Sequence, residues 1–186
     1  MRGERPRGPI GQDDAIREEI MDETVERHPA SAGRSVLAAA GFAAAVIAVA
    51  AVGGIAASGS GAVYASLELP AWAPPAWLFG PVWTVLYVAV ALAGWLVWRA
   101  SGLAGAPAFF AVYALQLVLN AAWTPLFFGA GLYGAAFADI VALAAAVAAA
   151  AVLGRRHSLT ATVLLVPYLL WVVFAAALNL AIVAAN

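Results

Sequence analysis

Gln116, Asn120, Trp123 and Phe127 recur at spacings of i, i+4, i+7 and i+11. On a helix this puts two amides and two aromatic rings on one face. Trp171, Ala175 and Leu178 repeat the i, i+4, i+7 pattern, with Phe174 and Asn179 beside them. Side chains of these types bind rather than react: aromatic faces stack on flat apolar ligands, and amides orient a polar edge. The same amides serve equally well as interhelical glue, worth on average about 0.6 kcal/mol per hydrogen bond in a bilayer. A third group of rings lies in and just after the stretch SGSGAVYASLELPAWAPPAWLFG, residues 58–80: Tyr64, Trp72, Trp77, Phe79 and then Trp83. Pro70, Pro74 and Pro75 stiffen that stretch, and its tryptophans are costly to leave in water, so it is expected to fold back on the rest of the chain. For Trp72 and Trp77 an aromatic belt at the lipid headgroups competes evenly with a ligand lid.

Other chemistries lack their residues. The chain has no cysteine, which removes disulfides and thiolate metal sites. Its two histidines, His28 and His157, lie far apart in polar surroundings, and neither falls inside an apolar stretch, so iron ligation in the usual protein manner is not expected. No HExxH, catalytic triad, P-loop or GxGxxG is present. A net charge of −1 gives no argument for nucleic acid.

The elements that must position these residues follow from composition. Of 186 residues, 65% are hydrophobic and 10% charged, where a soluble domain carries about 25% charged residues. The charge is also segregated. The acids Glu4, Asp13, Asp14, Glu18, Glu19, Asp22, Glu23 and Glu26 crowd the start, whereas from residue 36 onward only Glu68, Arg99, Asp139, Arg155 and Arg156 are charged. Residues 1–34 are therefore expected to be a polar, disordered tail. Residues 35–186 are expected to form an all-α, integral membrane bundle of five helices, with spans at 36–57, 81–98, 107–128, 133–153 and 159–183, each long enough to cross a core of about 30 Å. The first run starts too late and is too long for a signal peptide. Pro81 and Pro107 fall where a first helical turn tolerates proline, and Pro167 should kink the last helix. Arg34, Arg99, Arg155 and Arg156 then all fall on one side, which predicts a cytoplasmic N-terminus and an outside C-terminus in a bacterial plasma membrane. Asp139 is the single carboxylate inside a span, open to reading as a structural group or a proton site. Ala138, Ala142, Ala146 and Ala150 form a small-residue stripe that suits packing or dimerisation.

Four stretches resemble the translocator protein family, also called tryptophan-rich sensory proteins or peripheral benzodiazepine receptors. They are Gly53-Gly54 closing the first span, YASLELPAWAPPAWLFGPVWTVLY at 64–87, QLVLNAAWTPLFFG at 116–129, and PYLLWVVFAAALN at 167–179. The resemblance covers roughly residues 36–186. It implies a five-helix bundle, usually a homodimer, that binds tetrapyrroles such as protoporphyrin and other hydrophobic molecules in a pocket under the first loop. Carried onto this chain, the pocket walls would include Tyr64, Trp72, Trp83, Asn120, Trp123, Trp171, Ala175 and Leu178. Trp77, Gln116, Phe127 and Phe174 complete the candidate set. No catalytic or metal-ligating residue is assigned and no cofactor is required; a porphyrin is the expected ligand and the lipid bilayer the expected surroundings. The implied function is a membrane receptor or sensor. Light-dependent porphyrin breakdown would accompany that role, and the alternative is a transporter of porphyrin or another small apolar solute. The chain departs from the family at Leu69, where a basic residue often stands, and at its end, LNLAIVAAN, which lacks the sterol-associated Tyr and Arg of animal members.

Overall fold

The computed structural model describes residues 32–186; the tail expected over 1–34 lies almost entirely outside the described residues. Five helices are long and apolar enough to cross a membrane. In lipid each backbone N–H and C=O must be satisfied within its own segment, and an uninterrupted helix does that without a neighbour. In chain order, α1 is Ala32–Ala56, the short α2 is Ser60–Ser66, α3 is Phe79–Gly105, α4 is Pro107–Thr124, α5 is Tyr133–Gly154 and α6 is Leu159–Ala185. A 3₁₀ turn, Ala76–Leu78, leads into α3, and a π turn, Pro125–Gly129, extends α4. The described residues contain no strand.

The spans sit where the apolar runs put them, and their ends differ for identifiable reasons. The second spanning helix, α3, continues past Trp98 to its break at Gly102, so Arg99 lies within it rather than at its end. Arg99 is accommodated by laying its guanidinium 5.0 Å above the Trp95 ring, an attraction that offsets part of the cost of a cation near lipid. The break comes at Gly102, whose φ of 65° is in the region that favours glycine. Pro107 occupies the first turn of α4. Pro125 cannot donate to the preceding turn, and the helix widens there, closing instead with Ala130 N–H on the Pro125 carbonyl at 2.9 Å.

The core lies among α3, α4, α5 and α6. Phe109, Ile140, Leu143, Val147, Leu165, Tyr168 and Val172 are fully buried within it. By contrast, α1 buries only Val46 and Val49 and meets the others through Phe42, which packs against Phe110 and Tyr113. The approach there is tight. A Cβ built on Gly94 of α3 would lie 2.8 Å from both Phe42 Cδ1 and Tyr113 Cζ, so only glycine fits.

The connection between α1 and α3 folds back on the bundle. Tyr64 Oη donates to the Pro74 carbonyl at 3.0 Å. Leu67, Leu69 and Ala73 pack on a cluster containing Tyr64, Phe127, Leu178 and Ile182. The side chain of Asn186 grips the same connection by accepting from Glu68 N–H at 3.0 Å and donating to the Glu68 carbonyl at 3.2 Å.

Candidate functional site

Beneath this connection lies a cavity of about 440 Å³, within the range of small-molecule sites, about 300–1,000 Å³. Its two sides differ in kind. One is made of Ala50, Gly53, Gly54 and Ala57 of α1 with Ser60 and Gly61 of α2. Facing them are Phe79, Trp83 and Tyr87 of α3, Trp123 of α4, Phe127 and Phe128 of the π turn, and Ala175, Leu178 and Ile182 of α6, with Tyr64 contributing from α2. Small residues bring one helix backbone to the edge of the space, while the rings give it stacking faces. Trp123 and Phe127 are themselves stacked at 5.0 Å and 26°, and Trp83 is tilted by 34° on Tyr87 at 5.3 Å. The widening at Pro125 sets the position of Phe127 and Phe128 on that wall.

Polar groups at the cavity are tied down by the protein. Tyr87 Oη donates to Asn120 Oδ1 at 2.9 Å, Asn120 Nδ2 donates to Tyr168 Oη at 2.9 Å, and Tyr168 Oη donates to Gln116 Oε1 at 3.0 Å. The chain of bonds runs from the cavity wall into the buried centre and joins α3, α4 and α6. Asn179 accepts from Trp123 Nε1 at 3.2 Å and donates to the Tyr133 carbonyl at 3.0 Å, holding the Trp123 ring in place. Burial raises the pKa of Tyr64 above its ordinary value, and its hydroxyl is the donor that closes the connection on itself.

Of the residues singled out from sequence, Tyr64, Trp83, Trp123, Phe127, Ala175 and Leu178 come together on the cavity. Asn120 stands one hydrogen bond behind the wall, through Tyr87, and Gln116 two hydrogen bonds further back, through Tyr168, and 1% exposed. Both amides therefore join helices. Trp171 lies behind Phe79 at 5.9 Å and its Nε1 is buried without a partner among the described residues. Phe174 bridges Trp171 and Trp72. Trp72 and Trp77 are 51% and 71% exposed and are absent from the cavity lining. Tyr87, Phe79, Thr124 and the glycine wall were not singled out as ligand contacts. Tyr87 stands at i+4 from Trp83, a spacing that would have revealed it. Asp139, with one carboxylate oxygen buried and unpartnered, lies on α5, which does not line the cavity.

The TspO/MBR family model matches residues 42–184. The chain belongs to the TspO/MBR family. Relatives in this family include the translocator protein of Ovis aries, 45% identical over 118 residues, which are 62% of this chain and 70% of that protein. The tryptophan-rich protein TspO of Archaeoglobus fulgidus is 42% identical over 66% of this chain and 79% of its own. The tryptophan-rich sensory protein of Cereibacter sphaeroides is 40% identical over 62% and 72%. The TspO/MBR match takes in every residue that lines the cavity, and it leaves the charged tail outside.

Proposed function

We propose that this chain is a membrane receptor that takes flat hydrophobic ligands, tetrapyrroles of the protoporphyrin type first among them, into the cavity beneath the first connection. The observation that carries this reading is the asymmetry of the walls: glycine and alanine on one side, a bank of aromatic rings on the other. A thin disc needs a face to stack on and a backbone that can come close to its other face. Gly53 provides the second. A Cβ added there would be 3.5 Å from Thr124 Oγ1 and 3.9 Å from Tyr87 Oη, ordinary contact, so a larger side chain would crowd the cavity where α1 meets α3 and α4. Several stacking rings at about 1–3 kcal/mol each account for most of a micromolar affinity, about −8 kcal/mol. The names of relatives, sensory protein and translocator protein, fit a receptor for a membrane-soluble molecule.

In this reading the contacting residues are Tyr64, Trp83, Trp123, Phe127, Ala175 and Leu178, joined by Phe79, Tyr87 and Gly53. Asn120 and Gln116 position Tyr87 and do not touch the ligand. A homodimer in a bacterial plasma membrane, with the N-terminus cytoplasmic, completes the proposal. The test is titration of the purified protein with protoporphyrin, read by porphyrin absorbance, for the wild type and Gly53→Leu. Saturable binding that Gly53→Leu weakens at least tenfold is the expected result. Equal binding by both proteins puts the ligand elsewhere.

A further inference from the structure

Arg99, Arg155 and Arg156 are exposed at the end of the bundle opposite the cavity. Arg99 stands on α3 just before the Gly102 break, about 22 Å along the helix from Thr84 of the cavity wall at 1.5 Å per residue. Arg155 and Arg156 belong to the turn between α5 and α6. One hydrogen bond ties the two elements together: Ser101 Oγ and His157 Nδ1 are 2.7 Å apart. Ser101 is two residues beyond Arg99, and His157 directly follows Arg156.

The turn is held from three sides. His157 ties it to α3. Gly154 lets it close on α4, because a Cβ there would meet Phe109 Cε2 at 3.1 Å. On α6, Thr162 Oγ1 donates to the Ala151 carbonyl of α5 at 3.0 Å, and Ser158 Oγ accepts from Ala161 N–H at 3.2 Å. Two adjacent like charges are thus presented on a fixed backbone. Arg99 is prepared in another way. Its guanidinium lies 5.0 Å above the Trp95 ring. Stacking uses the face of a guanidinium and leaves its in-plane N–H donors for groups at its edge, the directions in which it pairs with phosphate. The start of α6 adds to the patch. The N–H groups of Leu159 and Thr160 have no intrahelical partner, and they stand at the positive end of a 27-residue helix.

We propose that this patch binds the headgroup of an anionic phospholipid, with the phosphodiester taken by Arg99 and the Arg155–Arg156 turn. The occupant follows from the position of the patch. Spanning helices end at the level of the lipid headgroups, so phosphate tethered to the bilayer is concentrated there. Basic groups at helix ends recognise such headgroups, and a guanidinium pairs with phosphate through two parallel hydrogen bonds. Phosphatidylglycerol carries one phosphodiester and no cation. Phosphatidylcholine carries a quaternary ammonium as well, which the arginines repel. The Ser101–His157 bond makes the patch a site and not a diffuse field, because it ties the two sources of positive charge to one point of the surface. Ser101 is therefore a positioning residue.

The experiment is native mass spectrometry of the full chain in a neutral detergent, giving the binding constant of the first phosphatidylglycerol and of the first phosphatidylcholine with the same acyl chains. An arginine at an anionic lipid surface is worth about fivefold in affinity. The wild type should prefer phosphatidylglycerol about tenfold or more. Arg99→Gln, and the double change of Arg155→Gln with Arg156→Gln, should each lower that preference about fivefold or more. Ser101→Ala keeps every charge and should still lower it about threefold, whereas Ser101→Thr, which keeps the hydroxyl, should restore it. Glycerophosphoglycerol, the headgroup without its chains, should not displace the lipid at equal concentration. Three results overturn the proposal. Equal binding of the two lipids by the wild type removes the site. A preference that the arginine changes abolish and Ser101→Ala leaves intact reduces it to diffuse attraction. Displacement by glycerophosphoglycerol or inorganic phosphate makes it a site for a soluble anion.

Discussion

Replacing Trp83 by alanine should weaken tetrapyrrole binding by about 5- to 150-fold, whereas replacing Trp77 should leave it within twofold. The magnitude comes from one lost stacking face, about 1–3 kcal/mol, at 1.4 kcal/mol per tenfold in Kd. Both residues are tryptophans in the same stretch of sequence, and they differ in placement. Trp83 lines the cavity, half-buried, with Tyr87 at 5.3 Å and Tyr168 at 6.2 Å. Trp77 is 71% exposed and makes no contact with the cavity. The assay is the porphyrin absorbance band rather than protein fluorescence, so that removing a tryptophan does not remove signal. Because Trp83→Ala also deletes packing against Tyr87, circular dichroism and thermal unfolding of both variants accompany the titration. Trp83→Phe keeps a ring and should recover at least half of the lost binding free energy. Equal losses in Trp77→Ala and Trp83→Ala, with both proteins folded, would refute the assignment of the cavity.

The same contacts set four other outcomes. Asn186→Ala removes both side-chain bonds to Glu68 and should speed ligand release about two- to tenfold by stopped flow, the effect expected if about 0.5–1.5 kcal/mol of hydrogen bonding no longer holds the connection closed. Tyr168→Phe leaves Gln116 Oε1 and Asn120 Nδ2 without their partner. At about 0.6 kcal/mol per bond in a bilayer, rising to about 1–3 for an orphaned group, it should cost about 1–3 kcal/mol in unfolding by mixed micelles. Gly94→Ala forces Phe42 and Tyr113 apart and should lower thermal stability more than Gly53→Ala, whose new methyl meets only ordinary contacts. The raised pKa of Tyr64 concerns an acid that is neutral when protonated: the contribution of its bond to Pro74 is fully present below about pH 10, the ordinary tyrosine value, and is lost as pH rises through the folded-state value. Ligand release should therefore be flat from pH 6 to 9 and quicken above pH 10, and Tyr64→Phe should be fast throughout.

The helices were legible because lipid imposes one rule on every segment: an apolar run of sufficient length must be a helix. Hydropathy says nothing of what happens inside such a run. The continuation of α3 past Arg99, whose guanidinium lies over Trp95, is not marked by hydropathy, and the π turn begins at a proline near the end of an otherwise continuous apolar stretch. Half of the candidate ligand set came together on the cavity, namely those on the inward faces of α3, α4 and α6 together with Tyr64. Helical spacing identified the face of α4 but not its depth, so Gln116 and Asn120 read the same as Trp123 although they bond to Tyr168 instead of lining the space. Trp72 and Trp77 carry no periodicity, since they lie in a proline-rich connection, and residue type alone does not tell a wall from an outer surface. The glycine wall was hidden for a different reason. In a helix as rich in alanine as α1, small residues are everywhere, and only the facing rings single out Gly53 and Gly54.

The most direct measurement is a ¹⁹F spectrum of protein labelled with 5-fluorotryptophan, which gives one resonance for each of the seven tryptophans, assigned by single Trp→Phe changes and recorded with and without a metal-free tetrapyrrole. Ring currents of a disc in the cavity should move Trp83 and Trp123 strongly, shift Trp171 slightly, and leave Trp77, Trp95 and Trp98 in place. Large shifts at Trp77 or Trp98 with Trp83 and Trp123 unmoved would contradict the account.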